Sequence, residues 1–245
     1  MKRRAGLVLA AIFAALAVGC GQAASKTSAE SAAPGAYQNE EFRTLFAENC
    51  AACHGEHGKG GAANALDDAV YLAIADDAVI RNAIINGGPG TASPAFGQTA
   101  GGLLKDEQIA TLVKGIRAWA RPEELNGVQS PRYAAERTGD TAHGGKDFQI
   151  FCAACHGADG TGTKFAGSIV NPSFLALVSD EALRTIVIVG RPELGAPDWR
   201  NDAAGQPMSD EQITDVVAWL ATHRVPYPGQ PYPSGTAASG AGERK

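Results

Sequence analysis

The chain has 245 residues, 44% of them hydrophobic and 7% aromatic, with a formal net charge of −5. That length suits one large or two small domains, and the acidic balance argues against a nucleic-acid partner, which demands a basic face. Four of the five cysteines fall in two short motifs, so no pair remains for a structural disulfide and export must be argued from the N-terminus.

Met1 to Arg4 is positively charged and Ala5 to Val18 is an apolar run, too short for a comfortable membrane span. The run ends Leu16-Ala17-Val18-Gly19-Cys20, which resembles a bacterial lipobox, with Ala17 where Leu is commoner. The expectation is a signal peptide over 1–19, cut before a lipidated Cys20. The alternative is an ordinary secretory signal with a bystander cysteine. Loss of 1–19 removes three basic and no acidic residues and takes the formal charge from −5 to −8. Several acyl chains on Cys20 anchor a protein stably, where one is marginal. Residues 20–36, rich in Ala, Ser and Gly without apolar periodicity, read as a flexible tether.

A first domain is placed at 37–121. Asn39 is the expected cap of a helix with Glu40 and Glu41 in its first turn, and Phe42, Leu45 and Phe46 share one face. The helix runs into Cys50-Ala51-Ala52-Cys53-His54. Two cysteines three residues apart lie on one face of a helical turn, where both sulfurs reach the two vinyl groups of a haem. The next residue offers its imidazole to the iron as proximal ligand. A single zinc site of four cysteines competes with this reading, but such a site has no need of a histidine after each pair. Past a glycine-rich loop, Asp76/Asp77 to Asn86 reads as a helix stopped by Gly87-Gly88-Pro89. Gly90 to Gly102 reads as a loop. Asp106 to Trp119 reads as a closing helix that buries Ile109, Leu112, Val113 and Ile116.

Residues 122–140 form a polar linker whose Leu125, Val128 and Tyr133 equip it to pack across a domain surface. The second domain, 141–225, repeats the plan. Gly145 to Phe151 leads into Cys152-Ala153-Ala154-Cys155-His156, 102 residues beyond the first motif. Asp180 to Val189 is a helix stopped by Gly190. Ser209-Asp210-Glu211-Gln212 is a capping box that opens a last helix through Ile213, Val216, Val217 and Leu220. Residues 226–245 are a Pro, Gly, Ala and Ser tail read as disordered.

The repeated CAACHG hexapeptide, the glycine-rich loop behind it, the mid-domain helix ending in glycine and the Asp-Glu-Gln-Ile opening of each last helix make both halves resemble class I cytochrome c domains, over about 38–121 and 141–224. The resemblance implies an all-α fold of two tandem haem-binding domains joined by a linker. It also implies a distal Met ligand in a Met-Pro loop before the last helix. Here the sequence departs from the pattern: Ser93 and Ala196 stand before Pro94 and Pro197, and the only methionines are Met1 and Met208. At most one haem can then have Met/His ligation. Met208 is the distal candidate, weighed against an apolar staple before the last helix. His57, His143 and His223 are weighed as ligands against surface histidines. Arg191 and Arg200 are weighed as partners for haem propionates against solvated loop residues, and Phe96 and Trp199 as packing on haem edges.

The reading is an exported dihaem c-type cytochrome that moves single electrons in a bacterial respiratory or redox chain, an electron carrier rather than an enzyme. Its two haem c groups attach at Cys50 and Cys53 with His54, and at Cys152 and Cys155 with His156. The expected partner is a redox protein or a membrane respiratory complex, reached from a periplasmic or cell-surface position by the lipid on Cys20. The alternative is a haem-based sensor of small ligands, or a weak peroxidase, using open distal sites.

Overall fold

The computed structural model describes residues 40–88, 91–200 and 205–225, which all belong to a unit that begins at Ala33. The expected signal segment 1–19, Cys20 with the tether 20–36, the cap at Asn39 and the tail 226–245 lie outside the described residues. Among those described there is no β-strand, only isolated bridges at Gly97–Leu104 and Arg191–Ala196. The fold is all-α.

The first half holds α1 (Glu40–Asn49), the one-turn α2 (Ala51–His54), α3 (Ala69–Ile74), α4 (Asp77–Asn86) and α5 (Asp106–Arg117). The second repeats the order as α6 (Thr141–Phe151), α7 (Ala153–His156), α8 (Pro172–Ala176), α9 (Asp180–Val189) and α10 (Asp210–Ala221). Helix α6 starts earlier than Gly145, because the Asp140 carboxylate accepts the Ala142 and His143 amides at 2.8 Å each and caps a turn that the Gly144-Gly145 pair disguises. Helices α3 and α8 fall in stretches for which the sequence pattern gave no element. Helix α3 is Ala-Val-Tyr-Leu-Ala-Ile, apolar on every side, so it shows no 3.6-residue period. It is capped by Asp68, which accepts the Tyr71 amide at 2.8 Å, and buries Val70, Tyr71 and Leu72. Helix α8 is a short turn begun by Asn171 with Pro172 in its first position.

In each half the first helix crosses the last, α1 on α5 and α6 on α10. The crossings are made with opposite choices of bulk. A Cβ on Gly115 of α5 would lie 2.0 Å from the Phe42 ring of α1. A Cβ on Gly144 of α6 would lie 1.9 Å from the Asp215 carbonyl and 3.0 Å from the Trp219 Cβ, both on α10. Counted from the motif cysteines, Phe42 corresponds to Gly144; counted from the starts of the last helices, Gly115 corresponds to Trp219. The large residue thus sits on the first helix in one half and on the last helix in the other. Phe46 meets Trp119 edge-on at 5.3 Å, and Phe148 stacks on Trp219 at 4.2 Å.

The linker packs through Leu125 and Tyr133, while Val128, the third apolar residue expected to do so, is 44% exposed. Pro122–Leu125 is a 3-10 turn that buries Leu125 and lies against α3. Further on, Arg184 of α9, only 2% exposed, donates from Nε to the Arg132 and Tyr133 carbonyls at 3.1 Å each. Its remaining nitrogens hold Thr214 Oγ1 at 2.8 Å and Asp210 at 2.5 Å. Helix α3 also lies against α9, and the Ala92 amide donates to the Leu177 carbonyl at 3.2 Å, so the two halves touch directly.

Candidate functional site

The two Cys-x-x-Cys-His turns have one geometry. Cys50 and Cys152 each end the preceding helix, with φ −121° and ψ −36° in one and φ −123° and ψ −34° in the other. Each then starts a single helical turn that carries the second cysteine and the histidine. Cys50 and Cys152 are half-buried, Cys53 and Cys155 are exposed, and none of the four is in a disulfide. Burial, with the neighbouring cysteine adding to it, pushes the Cys50 thiol up to about 11 and Cys152 up to about 12. Both remain protonated at neutral pH, the form that adds S–H across a vinyl group. Among the described residues no group of three or more His, Cys, Asp or Glu is placed to hold a metal ion, so the cysteine pairs do not converge on one zinc.

Each histidine is held from behind. His54 Nδ1–H donates to the Asn64 carbonyl at 2.7 Å, and His156 Nδ1–H to the Gly167 carbonyl at 2.9 Å. That bond fixes the tautomer and leaves Nε2 as the coordinating nitrogen. Burial lowers the His54 pKa, with the carbonyl bond partly opposing it, which favours the neutral imidazole a metal ligand needs. Behind the cysteines the two halves differ. The Cys53 carbonyl accepts the Ala63 amide at 2.8 Å, whereas the Cys155 carbonyl accepts Thr163 Oγ1 at 2.5 Å.

The loops where a distal Met is expected sit alike. Gly87 and Gly190 end α4 and α9 with φ 63° and 68°. A Cβ there would lie 2.5 Å from the Ser93 carbonyl oxygen and 2.3 Å from that of Pro197, so each Ser-Pro or Ala-Pro strap runs hard against the helix end. Ser93 is exposed; Ala196 is half-buried and pairs with Arg191, backbone to backbone. Met208 is 5% exposed, and its amide donates to the Trp199 carbonyl at 2.8 Å. Leu104 has the same arrangement, 6% exposed with its amide on the Phe96 carbonyl at 2.8 Å. Both stand just before a helix cap, so Met208 occupies the place of an apolar staple.

His57 and His143 are exposed. His223 follows α10, edge-on to Trp219 at 4.5 Å, with Nδ1 on the Trp219 carbonyl at 3.1 Å. Trp199 is 2% exposed and Phe96 half-buried. The two arginines weighed for propionates are engaged with protein groups. Arg200 pairs with Asp198 at 2.5 Å. Arg191 pairs with Glu193 at 2.5 Å and donates to the Gly61 and Ala62 carbonyls of the first half at 2.8 and 3.3 Å. No sequence signal marked that last contact. A hollow between α4 and α5, lined by Asp77, Arg81, Val113, Lys114 and Arg117, holds none of the motif residues.

The donor set therefore fits a covalently held haem: two thiols on one turn and an imidazole fixed at Nδ1, twice over. Helical halves carrying such turns define the c-type cytochrome class. Residues 38–114 and 139–220 match the family described as cytochrome c oxidase, cbb3-type, subunit III, and the chain belongs to that family. Membership brings covalently bound haem c and electron transport. Among individual relatives, the cbb3-type cytochrome c oxidase subunit FixP of Bradyrhizobium diazoefficiens is 32% identical over 133 residues, 51% of this chain and 42% of that one. Subunit CcoP of Azospirillum sp. is 34% identical over 136 residues, 51% and 41% of the two chains. A thiosulfate dehydrogenase of Allochromatium vinosum is 33% identical over 105 residues, 39% and 36%. The chain spans about two-fifths of the length of these curated relatives. No helix among the described residues is long and apolar enough to cross a membrane.

Proposed function

We propose that the chain is a dihaem electron carrier of a bacterial respiratory chain, with domains at 37–121 and 141–225. Cys50 and Cys53 tether one haem and Cys152 and Cys155 the other. His54 and His156 are the proximal ligands, each oriented by the carbonyl on its Nδ1. Haem held in this way supplies a one-electron ferric–ferrous couple. The residues of this chain position it, keep it in a low-dielectric surround and hold the two sites within one compact unit. The observation that carries the reading is the recurrence of one turn geometry, with the same histidine-to-carbonyl bond, at both motifs.

Neither Ser93 nor Ala196 supplies a thioether, and Met208 is placed as a staple, so neither iron receives a Met ligand from this chain. The partner is a membrane respiratory complex of the cbb3 oxidase kind, the kind of which the FixP and CcoP relatives are named as subunits. The protein is exported and reaches the complex by a lipid on Cys20. The test is an intact mass of protein matured with the c-type assembly machinery, with Cys50→Ser/Cys53→Ser and Cys152→Ser/Cys155→Ser variants. The expected result is two added haems in the wild type and one in each variant. A single haem in the wild type, or thiosulfate turnover by the isolated protein, overturns the reading.

A further inference from the structure

Residues 61–64 face two ways. Toward the first motif, the Ala63 amide donates to the Cys53 carbonyl at 2.8 Å and the Asn64 carbonyl accepts His54 Nδ1–H at 2.7 Å. Toward the second half, the Gly61 and Ala62 carbonyls accept Arg191 Nη2 and Nη1 at 2.8 and 3.3 Å. Arg191 is itself fixed at both ends. Its Nε holds Glu193 at 2.5 Å, and its backbone exchanges two hydrogen bonds with Ala196, 3.0 and 3.1 Å, in the second strap. Gly61 is seated on the motif: a Cβ there would lie 2.2 Å from the Cys53 carbonyl oxygen. The corresponding stretch behind His156, Thr163 to Gly167, keeps these bonds within its own half and leaves Phe165 72% exposed.

We propose that Arg191 is a positioning residue that couples the two haem sites, transmitting the placement of the second strap to the imidazole of His54. The proposal rests on the attachment reading above. A guanidinium gripping two carbonyls is a stiff, directional connector. The group bonded to the far nitrogen of a ligating histidine sets its orientation and basicity, and that environment tunes the iron's potential. Because coupling between sites is reciprocal, a ligand placed at the second strap reaches His54 by the same four residues.

The test uses the full chain carrying both haems, as wild type, Arg191→Ala and Arg191→Lys. Intact mass comes first: a wild type short of two haems overturns the attachment reading and the coupling with it. With both haems present, the paramagnetically shifted ring signals of His54 and His156 are recorded in the ferric protein, alongside the two midpoint potentials. Arg191→Ala is expected to move the His54 signals and one midpoint while the His156 signals stay. Arg191→Lys, with charge but no fork, is expected to restore part of the shift. Unchanged His54 signals and midpoints in Arg191→Ala, or movement of His156 alone, overturns the proposal.

Discussion

At the scale of single residues, the two halves keep the same interactions while changing who makes them. Arg117 of α5 pairs with Asp77 at 2.7 Å and donates to the Leu72 carbonyl at 2.5 Å and to that of Ala75. In the second half Arg224, beyond the end of α10, pairs with Asp180 and donates to the Leu175 and Val178 carbonyls at 3.1 and 2.8 Å. Both clamp the turn that precedes the mid-domain helix, from positions that do not align. The cysteines, the histidines and the cap at Ser209 were legible in the sequence because their spacing is their chemistry. These clamps, and Arg191 above all, were not, because a long flexible side chain reaches its carbonyl in space without fixed spacing. Two outcomes follow at this scale. Gly61→Ala drives a Cβ to 2.2 Å from the Cys53 carbonyl oxygen, so haem incorporation at the first motif falls while the second is spared, as a peptide mass map of the matured protein reads. Met208→Leu, which gives the second half the residue that stands at 104, leaves the ferric absorption spectrum unchanged.

At the scale of helices, periodicity located the long ones. Helices α4, α5, α9 and α10 lie where the apolar pattern and the glycine stops put them. It failed at α3 because a helix of six apolar residues has no polar face to set a period. It mislaid the start of α6 because Gly144 and Gly145 look like a break. Their purpose is contact: Gly144 lets α6 close on α10. Gly144→Ala gains roughly 1 kcal/mol of helix propensity. It nevertheless places a Cβ 1.9 Å from a backbone carbonyl that cannot rotate aside. Overpacking then wins, and the variant is expected to lose about 1–3 kcal/mol net in urea unfolding.

At the scale of the whole molecule, the linker is a structural strap. Arg184 holds two of its carbonyls, and Asp215, 5% exposed, holds its far end by accepting the Asp140 amide at 2.7 Å and Arg137 Nη1 at 2.8 Å. Arg184→Met is expected to cost about 1–3 kcal/mol for groups left without donors and to open residues 131–139 to limited proteolysis. Burial alone would raise the Asp215 pKa, but Arg137 and the Asp140 amide outweigh it and hold the carboxyl below its usual value. The folded state therefore binds that proton less readily than the unfolded chain. The stabilisation is complete above about pH 4 and is lost as pH falls through the depressed value. Thermal midpoints measured across that acid range should fall for the wild type and stay flatter for Asp215→Asn.

The opposed bulk at the two helix crossings has a consequence for how the chain reaches this state. A tandem repeat risks closing the wrong ends on each other while it folds, since each first helix meets two last helices of similar sequence. Here α1 brings Phe42 to any partner and α10 brings Trp219 to the same point, so that pair collides. Helix α6 and α5 bring Gly144 and Gly115, and that pair leaves a void. Only the native pairings match a large residue with a small one. The duplicated halves thereby carry complementary keys, and exchanging Phe42 with Gly144 would remove the barrier to cross-closure without altering a single haem-attachment residue.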